Sequence, residues 1–340
     1  MEHDQEENEE QDMMELVEKK SLIISTGNRS RFPSTEYGYT FNNISSPYEL
    51  HDFAHVLRKY MYLERFVNDP MTLGLCDEED PIDFQQIDLF QALFFPRSLA
   101  PRTPMSDKQV TLMTETSLSA MWFRLVSYFF EWLTGVPELQ YLSDKDKIKL
   151  VVCQSCKVIC FSVVYANYEG NYGEEDRQML FFGSGFFWDP ARTNDPLMDE
   201  YCKQMLKVLN THILPPLRRL AMTKEEYVLT KLIVLFDCSD FIGLSRDGRE
   251  FCRSMFNKYR TILSQYVRHR VHQQNPHLTT LEVDNISMKR VRQLLDIPKS
   301  VEIMGEIDDQ SLSDMVKTNY GGMNGTLQNQ IHTESRKRDQ

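Results

Sequence analysis

The chain has 340 residues, 41% of them hydrophobic, and its 20 Phe, 15 Tyr and 17 Met are enough to build a sizeable core. A formal net charge of −12 makes unaided DNA binding a poor fit, because phosphate contacts need clustered Lys and Arg. No stretch approaches the roughly 18 consecutive apolar residues of a membrane span, and an acidic N-terminus is the opposite of a secretory leader. The seven cysteines are therefore expected to stay reduced in the cytoplasm or nucleus.

Residues 1–20 carry nine acids against two lysines, and 1–46 read as an acidic disordered tail. From Leu50 to Val67 the apolar residues Leu50, Phe53, Ala54, Leu57, Tyr60 and Met61 recur at helical spacing. Residues 68–107, with DEED and PRSLAPRTP, read as a long mobile connection holding one helical turn near Phe90–Phe94. The next helix is expected from about Lys108 to Leu133. Leu118, Trp122, Leu125, Phe129 and Leu133 share one face, and Met121, Tyr128 and Trp132 another. Only Arg124, Ser127 and Glu131 form a polar stripe, so this helix belongs in the middle layer of a helical sandwich.

Gly135, Val136 and Pro137 end it, and Ser143 with Asp146 caps a second central helix through IKLVVCQSCKVICFSVVYANY. The run MLFFGSGFFWD at 179–189 predicts a small β-hairpin, taken as the only sheet. A helix over 196–221 is broken by Pro215 and Pro216. Thr223 and Glu226 make a capping box ahead of EEYVLTKLIVLFD. Over 248–270, Phe251, Met255, Tyr259, Ile262, Leu263 and Tyr266 form one stripe. The last helical region spans 279–306, with Pro298 kinking or dividing it, and 318–340 reads as a polar disordered tail.

Cys153-Gln-Ser-Cys156, with Cys160 four residues on, is half of a zinc site at most; Cys76 and Cys202 come singly with no His at ligand spacing. These thiols read as small apolar fillers, with Cys156 and Cys160 on one helical face able to line a pocket. No nucleophile elbow, phosphate-cradling loop or paired acid–base set appears, so neither an enzyme, a metal nor a cofactor is expected.

Two phrases resemble one family. Trp132-Leu-Thr-Gly-Val136-Pro137-Glu-Leu139-Gln-Tyr-Leu142, continued by Ser143-Asp-Lys-Asp146-Lys147-Ile148-Lys-Leu150, is similar to the signature joining helices 3 and 4 of nuclear hormone receptor ligand-binding domains. Glu225-Glu226-Tyr227, Phe236-Asp237 and Gly243-Leu244-Ser245 with Gly248 resemble helix 8 and the loop beyond it, in phrasing close to the nematode supplementary receptors. The resemblance implies an all-α, three-layer antiparallel helical sandwich over 47–317 with one small β-hairpin. The family's zinc module needs eight cysteines before the first helix, and none precedes Cys76, so direct DNA reading is not expected of this chain.

It also implies sites. A hydrophobic small-molecule ligand would lie against Met121, Trp122, Leu125 and Phe129 of the first central helix. Cys156, Ile159, Cys160 and Val163 of the second, Phe181 and Phe186 of the hairpin, Met205 and Leu294 would complete the pocket. A coregulator's Leu-rich helix would sit on Thr134, Val136, Lys147 and Lys149, clamped by a carboxylate of the last helix. Asp314 is preferred for that role over Glu306, and Thr134 stands where the family has a Lys. The helices over 248–270 and 285–297 match the family's surface for homo- or heterodimers with another receptor. Arg336-Lys337-Arg338 suits nuclear import, with the cytoplasm as the other location. The expected function is a nuclear-receptor-like transcriptional regulator; a ligand-free dimerisation module or a cytosolic carrier of a hydrophobic molecule would share these features.

Overall fold

A computed structural model of the protein describes residues 53–69, 86–105, 111–170, 178–238 and 243–334. The expected acidic tail, the whole DEED stretch and the Arg336–Arg338 cluster lie outside these residues.

Helix α1 (Phe53–Asn68) buries Val56, Tyr60, Leu63 and Val67; of the predicted stripe only Tyr60 is fully buried, Phe53, Ala54, Leu57 and Met61 are half-buried beside it, and Leu50 lies outside the described residues. Short helix α2 (Leu89–Phe94) opens on a capping box between Asp88 and Gln91 and is followed by a 3-10 turn, Pro96–Ser98. This part of the 68–107 connection is fastened rather than loose. Ser127 donates to the Pro96 carbonyl at 2.6 Å, Arg97 pairs with buried Glu131 at 2.7 Å, and Arg102 bonds the same carboxylate. The polar stripe of the central helix is thus what holds the connection down, a function that its irregular, proline-rich sequence does not announce.

Helix α3 spans Glu115–Thr134 and begins later than the pattern suggested. Thr111 and Leu112 form a strand, β1, so the sheet has three strands rather than the two of a lone hairpin. β2 (Leu180–Gly183) and β3 (Phe186–Trp188) are antiparallel, and β1 joins β3 in parallel with Thr111 opposite Phe186. The hairpin turn needs Gly183 at φ +83°, where a Cβ would also strike the Met105 side chain.

A 3-10 turn, Pro137–Tyr141, leads into α4 (Asp144–Glu169), buried on nearly every side. Among the described helices α4 alone is long and apolar enough to cross a membrane, although Gln154, Ser155 and Lys157 interrupt its apolar run; its burial inside the protein accounts for that composition. Helix α5 (Pro196–Val208) widens into a π turn, Leu209–Ile213, and continues as α6 (Leu214–Leu220). Pro215 and Pro216 have no N–H to offer the preceding turn, so the chain opens there without breaking. Helix α7 (Lys224–Phe236) starts at the predicted capping box, with Thr223 N donating to Glu226 at 3.0 Å. Helices α8 (Arg246–Gln274) and α9 (Thr280–Lys317) follow. Pro298 neither divides nor ends α9, because long buried stretches on both sides hold the helix across one missing bond.

α4 packs against α3, α7 and α9, and α7 against α1, α4 and α8, while α3 is buried at every residue from Met121 to Leu133. Buried ion pairs tie the layers. Lys231 of α7 meets Glu64 of α1 at 2.7 Å, and Glu226 accepts from Arg290 of α9 at 2.6 and 2.7 Å. Glu138 accepts from Tyr60 and Tyr259, each at 2.6 Å. Asp146 accepts from Ser245 N and Oγ at 2.8 and 2.6 Å, fixing the entry of α8. Burial opposes its ionisation, but these bonds and one from Ser143 outweigh it and hold the carboxyl below its ordinary range.

The largest departure concerns 318–340, expected to be a disordered tail. Residues 320–334 instead form a 3-10 turn (Tyr320–Gly322), helix α10 (Thr326–Asn329) and a π turn (Gln330–Glu334) packed on α2, α3, α4 and α9. Four apolar side chains in a polar stretch, Met323, Leu327, Ile331 and half-buried Tyr320, suffice to seat it. Their spacing, broken by Gly and Asn, is too irregular to stand out as a periodic helix.

Candidate functional site

The central helices enclose a cavity of about 30 Å³, room for a water molecule or two. Eight of the twelve expected residues line it: Met121, Trp122 and Leu125 of α3, Cys156, Ile159, Cys160 and Val163 of α4, and Met205 of α5. Four do not. Phe129 packs beside Phe130 in the core, one turn beyond Leu125. Phe181 is half-buried on the opposite face of its strand, because alternation turns Leu180 and Phe182 toward the cavity, and Phe186, half-buried near the turn, does not reach the lining either. Leu294 is buried elsewhere on α9, whose cavity face is Met304, Asp308 and Leu312. Ending that helix at 306 put the contact too early along it.

The polar end of the cavity was not expected. Tyr201 donates to Asp308 at 2.6 Å; burial pushes the Asp308 carboxyl up, against that hydrogen bond. Burial and the nearby Asp308 push the Cys156 and Cys160 thiols well up, which keeps them protonated and poor nucleophiles. From the C-terminal segment His332 enters the cavity wall, accepting from Trp122 Nε1 at 2.8 Å and lying 2.7 Å from Asp309 through Nδ1. Ile331 fills the space beside it. Asp308 could have been found: it is an acid at an apolar position between Met304 and Leu312. His332 carries no such signal, since nothing in its neighbourhood marks it as buried.

These particulars place a polar knot at one end of an apolar interior between the central helices, closed by the chain's last described residues. Residues 104–308, more than half of the chain, match the family described as the ligand-binding domain of nuclear hormone receptor. The chain belongs to this family. It is also similar to the glucocorticoid receptor of Paralichthys olivaceus, 27% identical over 140 residues, which are 41% of this chain and 16% of that protein. The chain therefore matches less than a fifth of that receptor's length.

Of the residues expected in this receptor-type domain's coregulator groove, Thr134 is exposed and caps its own helix through the Glu131 carbonyl at 2.7 Å, and Val136 is buried. Lys147 pairs with Asp144 at 3.2 Å, and Lys149 bonds the Gly243 carbonyl at 2.5 Å. Asp314 does not join them. It lies within α9, exposed, bonded by Gln310 at 3.0 Å and Lys317 at 2.9 Å. The turn that follows α9 packs on the start of α3, where a Cβ on Gly321 would meet the Glu115 carbonyl and Leu118. Thr134 is at the other end of α3, about 24–28 Å away at 1.5 Å rise per residue. One continuous helix through Lys317 leaves Asp314 no separate last helix to belong to. The last described element is 326–334.

On the α8–α9 surface expected to mediate dimers, a groove of about 860 Å³ runs beside Phe256, Arg260, Val291 and Leu295. Leu281 and Met288 stand beside it at 71% and 63% exposure, an unusual state for large apolar side chains.

Proposed function

We propose that this chain is a nuclear-receptor-like transcriptional regulator that works by binding rather than catalysis, acting in the nucleus and reaching DNA indirectly through partner proteins. The observation that carries the reading is the closed interior: Ile331 and His332 occupy the space where a hydrophobic ligand would be held. Ligand sites ordinarily measure about 300–1,000 Å³, ten times or more the space left here. Residues 326–334 are then the movable last element. Seated, they fill the core; displaced, they free space for a hydrophobic molecule and alter the surface over α2 and α3, a shift between two populations. The exposed Leu281 and Met288 favour a homo- or heterodimer through α8 and α9, and the charge of −12 favours contact with a DNA-bound partner over contact with DNA. A coregulator helix on Thr134, Val136, Lys147 and Lys149 would dock without Asp314.

Mass spectrometry of organic extracts and thermal shifts across a lipid panel test this reading. Wild type should retain little, whereas the paired substitution Ile331→Ala with His332→Ala should gain bound lipid. Equal retention by both would remove the closing role of 326–334. Asp314→Ala should recover helical coregulator peptides as wild type does, and a loss of recovery would overturn the assignment of Asp314 to the surface. The filled interior also favours a ligand-free dimerisation module; that reading is preferred if the paired variant gains no lipid yet sediments as a dimer.

A further inference from the structure

Behind the cavity, three side chains from three separate elements converge: Cys156 of α4, Asp309 of α9 and His332 of the C-terminal turn. Their ligand atoms all lie within 4.8 Å of one another. His332 Nδ1 is 2.7 Å from Asp309 Oδ1, and the Cys156 Sγ is 3.8 Å from the same oxygen. Cys156 and His332 are buried, while the Asp309 side chain keeps 27% exposure and so leaves a route from solvent. The surroundings offer further donors and no competing cation. Asp308 and Cys160 line the same cavity as Cys156 and His332, and no Lys or Arg is among its described lining.

A thiol, an imidazole nitrogen and a carboxylate oxygen, brought together in an apolar enclosure, form a donor set suited to a borderline-soft divalent ion held tetrahedrally. We propose that Cys156, Asp309 and His332 bind one zinc-class divalent cation, with Asp308 or water as the fourth ligand. Because His332 belongs to the closing segment and the other two belong to the core, the ion fastens that segment shut. This second consequence rests on the closing role of 326–334 argued above; the site itself does not.

The protons balance as follows. In the arrangement described, Nε2 of His332 accepts from Trp122, so Nδ1 holds the ring proton and donates it to Asp309. When the ion binds, the Cys156 thiol releases its proton to solvent, and the ring proton passes from Nδ1 to Nε2. The Trp122 N–H then faces another donor, and that hydrogen bond is given up. One neutral hydrogen bond is small beside the metal–ligand bonds formed. The released thiol proton makes binding tighten as pH rises.

Cobalt(II), a coloured substitute for zinc, tests the site in the full chain. One Co²⁺ per chain should produce tetrahedral visible bands and a thiolate-to-cobalt charge-transfer band, change Trp122 fluorescence, and be displaced by Zn²⁺. Cys156→Ser should abolish the charge-transfer band, and Asp309→Asn and His332→Gln should each weaken binding by about tenfold or more. Trp122→Phe should remove the fluorescence response while binding persists, and Cys153→Ser, at an exposed position one turn earlier, should change nothing. Failure of wild type to take up Co²⁺ overturns the site, as does a charge-transfer band that survives Cys156→Ser. Should Cys156→Ser fail to fold, the partly exposed Asp309→Asn decides, and unchanged affinity there refutes the proposal. Hydrogen exchange in 326–334 should slow with Zn²⁺ in wild type but not in His332→Gln. Metal uptake without that protection overturns the fastening role alone, and the lipid assay judges the closing role separately.

Discussion

Lys231→Met should be among the most damaging single changes in the protein. Lys231 and Glu64 are fully buried, 0% and 2% exposed at the side chain, with their charged atoms 2.7 Å apart. At that separation the gross attraction is about 6 kcal/mol with an effective dielectric constant near 20. Burial lowers the Lys231 pKa against the pull of Glu64, which means that desolvation cancels much of this attraction. Removing Lys231 returns none of the desolvation cost of Glu64: its Oε1 loses its cation, and only the Tyr128 hydroxyl, donating to Oε2 at 2.9 Å, remains. An uncompensated buried charge of this kind costs about 3–5 kcal/mol. The paired change Glu64→Leu with Lys231→Met removes both charges and takes away the acceptor of the Tyr128 hydroxyl, a loss of about 1–3 kcal/mol. Urea unfolding of the four proteins, followed by circular dichroism, gives the coupling energy, expected at about 2 kcal/mol or more in favour of the double variant. A single variant costing less than about 1 kcal/mol, or a double variant costing the sum of the two singles, would refute this reasoning.

Two further outcomes are expected. Burial lowers the Lys59 pKa from 10.5 to about 8, against the attraction of Glu138. Between those values the unfolded chain holds a proton that the folded protein lacks, so stability should rise with pH from about 8 to 10, by roughly 2–3 kcal/mol. Above pH 10 the buried Tyr60 and Tyr259, pushed up chiefly by burial, keep protons in the folded state and reverse the trend. Lys59→Met should flatten the rise, and parallel curves for the two proteins would count against the assignment. At Gly248, in the first turn of α8, a Cβ would sit 2.7 Å from the Asp146 carboxyl that holds Ser245. Gly248→Ala should lose about 1–3 kcal/mol of fit against about 1 kcal/mol of helix propensity gained. A higher urea midpoint than wild type would show that the carboxyl moves aside at no cost.

Some features of this protein are local and were therefore readable from its residues. The apolar girth of α3 and α4, the caps at Ser143 and Thr223, and the Gly-Ser-Gly turn follow from neighbours within a few positions. Together with the Trp132–Leu150 phrase they fixed the family and eight of the cavity's residues. Other features depend on partners far away in the chain. Nothing near Glu131 says that Arg102 will reach it, and nothing near His332 says that Trp122, 210 positions earlier, will donate to it. Phe181 and Leu180 have almost the same character, and only strand register decides which one faces inward. The sequence by itself determined a helical sandwich with an apolar middle. Only the tertiary structure decided that Ile331 and His332 wall this middle, because a polar segment becomes part of a core when distant side chains satisfy its buried groups.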